Sequence, residues 1–174
     1  KKKLLPPKKA VASGNTMSFG PNTPIYDQNV STESARPIIE RILRDYIPSG
    51  VKQPYRSRLL DYTNDIASET GARKLDPRLL PLLAIAETGA LKPGGRGDAA
   101  NNPWAGVIPG SNPQRLIQYD NPRNALKDYM NYHLWDESRV GKNPTLSSFV
   151  GSHNPEDNPQ GELRLLMELA SQFE

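Results

Sequence analysis

Apolar residues recur at helical spacing in the first half of the chain. The segment SARPIIERILRDYI, from Ser34, repeats Ile and Leu every three or four positions, with Pro37 in its first turn and Pro48 at its end. A second segment, YRSRLLDYTNDIASETG, keeps the same spacing and has Gly71 as a stop signal. The pattern predicts two amphipathic scaffold helices.

A third segment, LDPRLLPLLAIAETG, carries the clearest helix start and stop. Asp76 is the predicted N-cap, Pro77 the first helical residue, and Gly89 the residue just past the end. Between them the segment is apolar nearly all round, and Pro81 is expected to bend it. We expect this helix to lie buried at the centre of the fold.

The second half of the chain contains six Asn-Pro pairs, each of which favours a turn or a helix start. The first members of the pairs are Asn102, Asn112, Asn121, Asn143, Asn154 and Asn158. Shorter helices are predicted in NPRNALKDYMNYHLW, after an Asn121 cap, and in GELRLLMELASQF. WAGVIPG is compatible with one arm of a small β-hairpin. The predicted fold is therefore mainly α, with a loop-rich lobe after the third helix.

Length and charge divide the chain into an arm and one domain. Residues 1–30 are basic and contain Pro, Gly and Ser without a sustained period, as in an arm or linker, whereas 31–174 can form one core. Five of the 22 Lys and Arg residues lie in the first nine positions, which leaves 17 basic against 19 acidic side chains. A nearly neutral body argues against a specific nucleic-acid partner. The arm is either a solvated tail or docks on a larger assembly or an anionic surface.

Several kinds of site are excluded or disfavoured by composition. The chain has no cysteine, so it forms no disulfide and has neither a thiolate nucleophile nor a zinc–thiolate site. Its two histidines, His133 and His153, do not have metal-ligand spacing. The Gly-Gly-Arg-Gly run at 94–97 lacks the strand and the Lys-Ser/Thr ending of a phosphate loop. We expect no metal and no cofactor.

Glu87 is the candidate for chemistry, because it ends the buried third helix and precedes a glycine-rich loop. Desolvation and the negative end of the helix dipole would both raise the pKa of its carboxyl. A carboxyl that stays protonated near neutral pH can act as a general acid. The alternative interpretation is a helix-terminal Glu that points into water.

LDPRLLPLLAIAETG resembles the helix of lytic transglycosylases and related lysozyme-like proteins, in which an apolar run leads to Glu-Ser-Gly with the catalytic acid. Thr88 replaces the usual Ser. NNPWAG is similar to the Asn-Asn-(Leu/Pro)-Phe-Gly pattern of cell-wall glucosaminidases, with Trp104 for Phe and Ala105 inserted. QYDNPRNALKDYMNYHL is similar to the helix start that follows in those enzymes. The resemblance covers about Leu59 to Phe173.

The resemblance implies a lysozyme-like, two-lobed helical domain that binds peptidoglycan glycan strands in a cleft and cleaves them, with Glu87 as general acid. The residues expected to contact substrate are Thr88, Asn101, Asn102, Trp104 and Tyr119. The two asparagines either hydrogen-bond acetamido groups or cap the turn before Pro103. Trp104 is the expected cleft aromatic, whereas Tyr129, on a helical stripe, is expected to pack in the core.

Two questions about function stay open at this stage. Hydrolysis needs a second group, for which Asp98 is the nearest acidic candidate, whereas a lytic transglycosylase needs one acid only. The main alternative is a non-catalytic lysozyme-like component of a virion or cell envelope that binds glycan or protein. Either function places the protein in the cell envelope, in the periplasm or outside the cell, including on a virion.

Overall fold

The computed structural model describes residues 18–132, 141–153 and 158–174, and in these ranges the chain is mainly helical. Backbone pairing there is limited to isolated β-bridges, so the described residues form no β-strand. A 3₁₀ helix spans Arg58–Tyr62. The α-helices are α1 (Thr32–Asp45), α2 (Thr63–Ala72), α3 (Leu79–Thr88), α4 (Arg96–Ala99), α5 (Pro122–Tyr132), α6 (Leu146–His153) and α7 (Pro159–Ser171).

The first predicted helix, α1, begins earlier than its apolar pattern indicated. Ser31 and Ser34 form a capping box, in which each side chain bonds the backbone N–H of the other residue. Pro37 consequently lies inside the helix rather than in its first turn. Ile39 and Leu43 are fully buried, which confirms the predicted amphipathic face.

The second predicted helix consists of the 3₁₀ helix followed by α2. Gly71 does not end it, because α2 continues to Ala72. The glycine instead permits close packing of α2 on the start of α1: a Cβ atom at Gly71 would lie 2.4 Å from the backbone nitrogen of Thr32.

The third predicted helix, α3, is the central one. Residues 79–85 are all buried, as the apolar run predicted. Its start differs from the prediction, because the Asp76 carboxylate accepts from the Arg78 N–H at 2.9 Å and the helix begins only at Leu79. Gly89 caps the other end with a φ of 61°, as expected for a left-handed C-cap.

Two of the Asn-Pro pairs start helices. The Asn121 side chain accepts from the Asn124 N–H at 3.1 Å before α5, and the Asn158 side chain accepts from the Gly161 N–H at 3.0 Å before α7. The sequence analysis predicted the Asn121 cap correctly.

The N-terminal segment departs most from the prediction. Phe19, Ile25 and Val30 are buried in the core. Ile25 is also held by the backbone, since its N–H donates to Pro144 O at 3.0 Å and its carbonyl accepts from the Asp76 N–H at 2.8 Å. An arm that extends to residue 30 is therefore wrong for residues 18–30, which belong to the folded body. The arm's lysines lie outside the described residues.

A loop segment follows α3 and contains α4 and a small hairpin. The hairpin joins Val107 to Leu116 through one antiparallel bridge, and the Ile108 N–H donates to Arg115 O at 2.8 Å. This agrees with the hairpin arm suggested by WAGVIPG. Within the described ranges, none of the helices is long and apolar enough to cross a membrane.

Candidate functional site

Glu87 lies in the last turn of α3, and its side chain is exposed while the preceding turns are buried. The buried helix therefore delivers this residue to the surface, as the sequence predicted. The expected burial of the carboxyl is wrong, however, because the exposed Glu87 side chain is in contact with solvent. Desolvation by the protein therefore does not support a general-acid role for Glu87.

The charge of Glu87 acts on Tyr129, which lies on α5. Burial raises the pKa of the Tyr129 hydroxyl well above its usual value, and the negative charges of Glu87 and Glu162 raise it further. Glu87 and Glu162 thus act on the same buried hydroxyl, from the end of α3 and from the first turn of α7. The sequence analysis missed Glu162, because an acidic residue in a first helical turn is ordinary.

Trp104 belongs to the core below this surface. Only 3% of its surface is exposed, its ring stacks on Tyr129 with 5.6 Å between centroids, and its indole N–H donates to Leu80 O at 3.0 Å. The expectation of a cleft aromatic is therefore wrong for Trp104, whose ring is unavailable to a sugar. The predicted core position of Tyr129 is confirmed, since it is 5% exposed.

Thr88 joins the end of α3 to the loop that carries Trp104. Its hydroxyl lies 2.9 Å from Pro103 O and 3.1 Å from Ala84 O, and it accepts from the Leu91 N–H at 3.2 Å. These contacts use the hydroxyl within the protein, so Thr88 fixes the loop rather than presenting a free donor to substrate.

The two asparagines also hold the loop. Asn102 is 2% exposed, and its side chain donates to Gly106 O at 2.8 Å and to Ile117 O at 3.0 Å. The Asn101 amide donates to Tyr119 O at 2.8 Å. Of the two roles considered for this pair, the turn-forming role agrees with these contacts, and Asn102 is too buried to reach an acetamido group.

Tyr119 connects the loop to α5. Its half-buried hydroxyl donates to the Asp128 carboxylate in a short hydrogen bond. Burial, followed by this bond and the charge of Asp128, raises the pKa of Tyr119. The hydroxyl is engaged in the protein, but its partial exposure leaves Tyr119 the most accessible of the predicted aromatic contacts.

Asp98 forms an ion pair with Arg58. Its Oδ1 lies 2.8 Å from Nη2 of Arg58, and its Oδ2 accepts from the Gly94 N–H at 3.3 Å. Arg58 also donates to Asn101 Oδ1 at 2.7 Å, so Asp98 helps to fasten the loop to the 3₁₀ helix. Asp98 lines a cavity that Glu87 does not line. We therefore do not retain Asp98 as the second acid.

The backbone immediately after Glu87 and Thr88 is strained. Gly89, Ala90 and Leu91 are consecutive left-handed residues, with φ values of 61°, 51° and 62°. Ala90 and Leu91 are buried, and the Ala90 N–H donates to Ala84 O at 2.9 Å, which holds this unfavourable conformation. Strain of this kind concentrates at functional sites, where the surrounding structure maintains it.

Within the described residues, no three His, Cys, Asp or Glu side chains are grouped so that they could hold a metal ion. His133 and the side chain of His153 lie outside the described residues. No protein-family model, curated protein or solved structure matches the chain. The candidate site therefore depends on the geometry around Glu87.

Proposed function

We propose that this protein cleaves the glycan strands of peptidoglycan, with Glu87 as general acid in a lysozyme-like, two-lobed domain. The observation that carries the proposal is an exposed carboxylate on the last turn of a buried helix, followed at once by a strained loop that Thr88 fastens. A general acid needs access to the glycosidic oxygen and a rigid support, and this arrangement provides both.

In the proposed reaction, the Glu87 carboxyl protonates the glycosidic oxygen as oxocarbenium character develops at the sugar. A glycan strand that lies over the exposed carboxyl displaces its water, which favours the protonated form that an acid catalyst requires. The substrate would thus supply the desolvation that the free protein lacks at this position.

The second step can follow two routes, which require different numbers of catalytic carboxylates. Attack by the sugar's own 6-hydroxyl needs no further carboxylate, because ionised Glu87 can assist it. Attack by water needs a second group. The candidate is Glu162, whose negative charge acts on Tyr129 together with that of Glu87. The first route yields 1,6-anhydro ends and the second yields reducing ends.

This function places the protein at a cell envelope, in the periplasm or outside the cell, or on a virion. Residues 1–17 contain five lysines and would tether the domain to an anionic surface or to a larger assembly.

The test is mass spectrometry of soluble fragments released from purified peptidoglycan by the parent protein, by Glu87→Gln and by Glu168→Gln. Glu168 is an exposed residue on α7 and serves as the matched control. We expect the parent and the control to release fragments and Glu87→Gln to be slower by at least about 100-fold.

Two results would contradict the proposal. Equal release by Glu87→Gln would remove the catalytic role from Glu87. If the folded parent released no fragments from several wall types, a non-catalytic structural role would be favoured instead, and the burial of Trp104 and Asn102 agrees with that role.

A further inference from the structure

A groove with paired charges lies along the 3₁₀ helix, residues of which line it. Two cavities of about 370 and 520 Å³ share Tyr55 and Arg56 in their walls, so they adjoin. One wall of the larger cavity belongs to α1 and the other to residues 55–64. We call the two cavities together the arginine groove, because their walls contain Arg36, Arg44, Arg56 and Arg58.

The guanidinium groups of the arginine groove are accessible. Three of them have a carboxylate partner, and the side chains of these three arginines are 41–61% exposed. The pairs are Arg44–Glu40 at 3.6 Å, Arg56–Asp61 at 2.8 Å and Arg58–Asp98 at 2.8 Å. Exposed ion pairs contribute little stability, so an incoming carboxylate can replace one partner at low cost.

Arg36 differs from the other three. Among the described residues, it has no carboxylate within salt-bridge distance. Its fork of N–H donors is therefore available for a bidentate bond with a carboxylate.

Of the two residues shared by the cavities, Tyr55 has its hydroxyl buried. The Tyr55 hydroxyl is buried and has no hydrogen-bond partner among the described residues, so solvent in the groove meets the ring. Burial raises the pKa of Tyr55; the nearby Ser57 hydroxyl offsets part of this rise but donates to Ala90 O at 2.8 Å. Leu60 and Leu91 add aliphatic surface.

Two adjoining cavities with an apolar ring at their junction and guanidinium groups along the walls suit an extended chain that alternates aliphatic and carboxylate groups. We propose that the arginine groove binds the short carboxylate-bearing peptides attached to peptidoglycan strands, an inference that rests on the proposed function for the identity of its ligand. Arg36 and Arg56 bind the peptide carboxylates, and the Tyr55 ring packs on the aliphatic portions. The groove would thereby hold the strand through its peptides while Glu87 acts on the glycan.

The test uses isothermal titration of the full-length Glu87→Gln protein, in which wall cleavage should be at least about 100-fold slower, with a synthetic wall peptide. The same peptide with amidated carboxyls is the matched ligand. We expect saturable binding of the acidic peptide, and binding of the amidated peptide weaker by about tenfold or more. Arg36→Gln and Arg56→Gln should each weaken binding of the acidic peptide by a similar factor.

Arg41→Gln is the control variant, because Arg41 is exposed on the same helix and does not line the groove. It should bind like its parent. Equal affinity for the acidic and amidated peptides, or unchanged affinity in both groove variants, would overturn the proposal. The comparison of the two peptides needs no variant beyond Glu87→Gln, so it decides the matter even where a groove substitution impairs folding.

The assay also separates this inference from the proposed function. Cleavage of peptide-free glycan strands by the parent, without any peptide binding, would reject the groove and keep the general acid. Peptide binding that depends on Arg36 and Arg56, in a parent protein that cleaves no wall, would reject the proposed activity and keep a peptide-binding site.

Discussion

Thr70 is a fully buried residue of α2 whose hydroxyl has no hydrogen-bond partner among the described residues. A buried hydroxyl without a partner loses its bond to water and gains nothing in return. We predict that Thr70→Val, which keeps the branched shape, raises the free energy of unfolding by about 1 kcal/mol. Urea unfolding with an unchanged m-value measures this change.

Thr63→Val is the matched control at the start of the same helix. The Thr63 hydroxyl donates to Leu60 O at 2.8 Å, so its loss should lower the free energy of unfolding by about 1 kcal/mol. A Thr70→Val protein that is destabilised as much as Thr63→Val would show that the Thr70 hydroxyl is satisfied in solution.

The position of Glu87 was predictable because it depends on local features, an apolar run and a glycine stop. The roles of Trp104 and Asn102 were not. The composition of a loop shows that the chain turns, but not which side chains turn inward. Trp104 is buried by Tyr129 and Leu80, which lie elsewhere in the sequence. Glu162 was missed for the same reason, because only the fold brings it near Tyr129.

At the scale of elements, the close contact between α3 and α4 depends on Gly97. A Cβ atom at this position would lie 2.4 Å from Cγ2 of Thr88 and 3.0 Å from Asn102 O. We predict that Gly97→Ala lowers the free energy of unfolding by about 1–3 kcal/mol through overpacking. Gly151→Ala on α6 is the control, because its Cβ atom would meet nothing within 4 Å.

The source of the clash can be tested with Thr88→Ser, which removes Cγ2 and keeps the hydroxyl that bonds Pro103 O. In the double variant we expect Thr88→Ser to recover at least about 0.5 kcal/mol of the loss caused by Gly97→Ala. Additive effects of the two substitutions would place the clash at atoms that Thr88→Ser keeps, the Cβ of residue 88 at 2.7 Å or the Asn102 carbonyl.

Helices with a sustained apolar period were predicted near their observed positions, as α1, α3 and α7 show. The observed helix ends differ from the predicted ones by a few residues, because capping depends on single side chains such as Ser31. The helix α6 and residues 18–30 were not predicted. Their buried side chains are few and are mostly separated by polar residues. Their burial depends on tertiary contacts, which the local apolar pattern does not predict.

At the scale of the molecule, the two ends of α3 have different surroundings. At its start, the Asp76–Arg78 pair at 2.7 Å lies beside Phe19, with the Arg78 guanidinium 4.8 Å from the centre of the Phe19 ring. The Phe19 N–H in turn donates to the Glu174 carboxylate at 3.3 Å. At its other end α3 presents Glu87. Residues 18–30, which the sequence assigned to an arm, therefore help to anchor the helix that carries the proposed acid.

Tyrosine burial gives the whole molecule a predictable response to alkaline pH. Burial is the largest cause of a raised pKa at five described tyrosines. They are Tyr26, Tyr46, Tyr55, Tyr119 and Tyr129. Above the ordinary pKa of 10.0, the unfolded chain loses these protons while the folded chain keeps them. The stability that they contribute is therefore complete below about pH 10 and declines as the pH rises further.

Tyr129 tests this response most directly, because it is 5% exposed and its pKa is raised by burial and, in addition, by the charge of Glu87. A tyrosine whose pKa in the folded protein lies well above 10.0, as that of Tyr129 does, contributes a slope that approaches about 1.4 kcal/mol per pH unit above pH 10. We predict that Tyr129→Phe reduces the alkaline slope of the unfolding free energy by about this amount, as measured by urea unfolding between pH 9 and 11. All other side chains are the same in both proteins, so the difference in slope isolates Tyr129. Parallel slopes would mean that the Tyr129 hydroxyl ionises as readily in the folded protein as in the unfolded chain, and that neither burial nor Glu87 and Glu162 act on it.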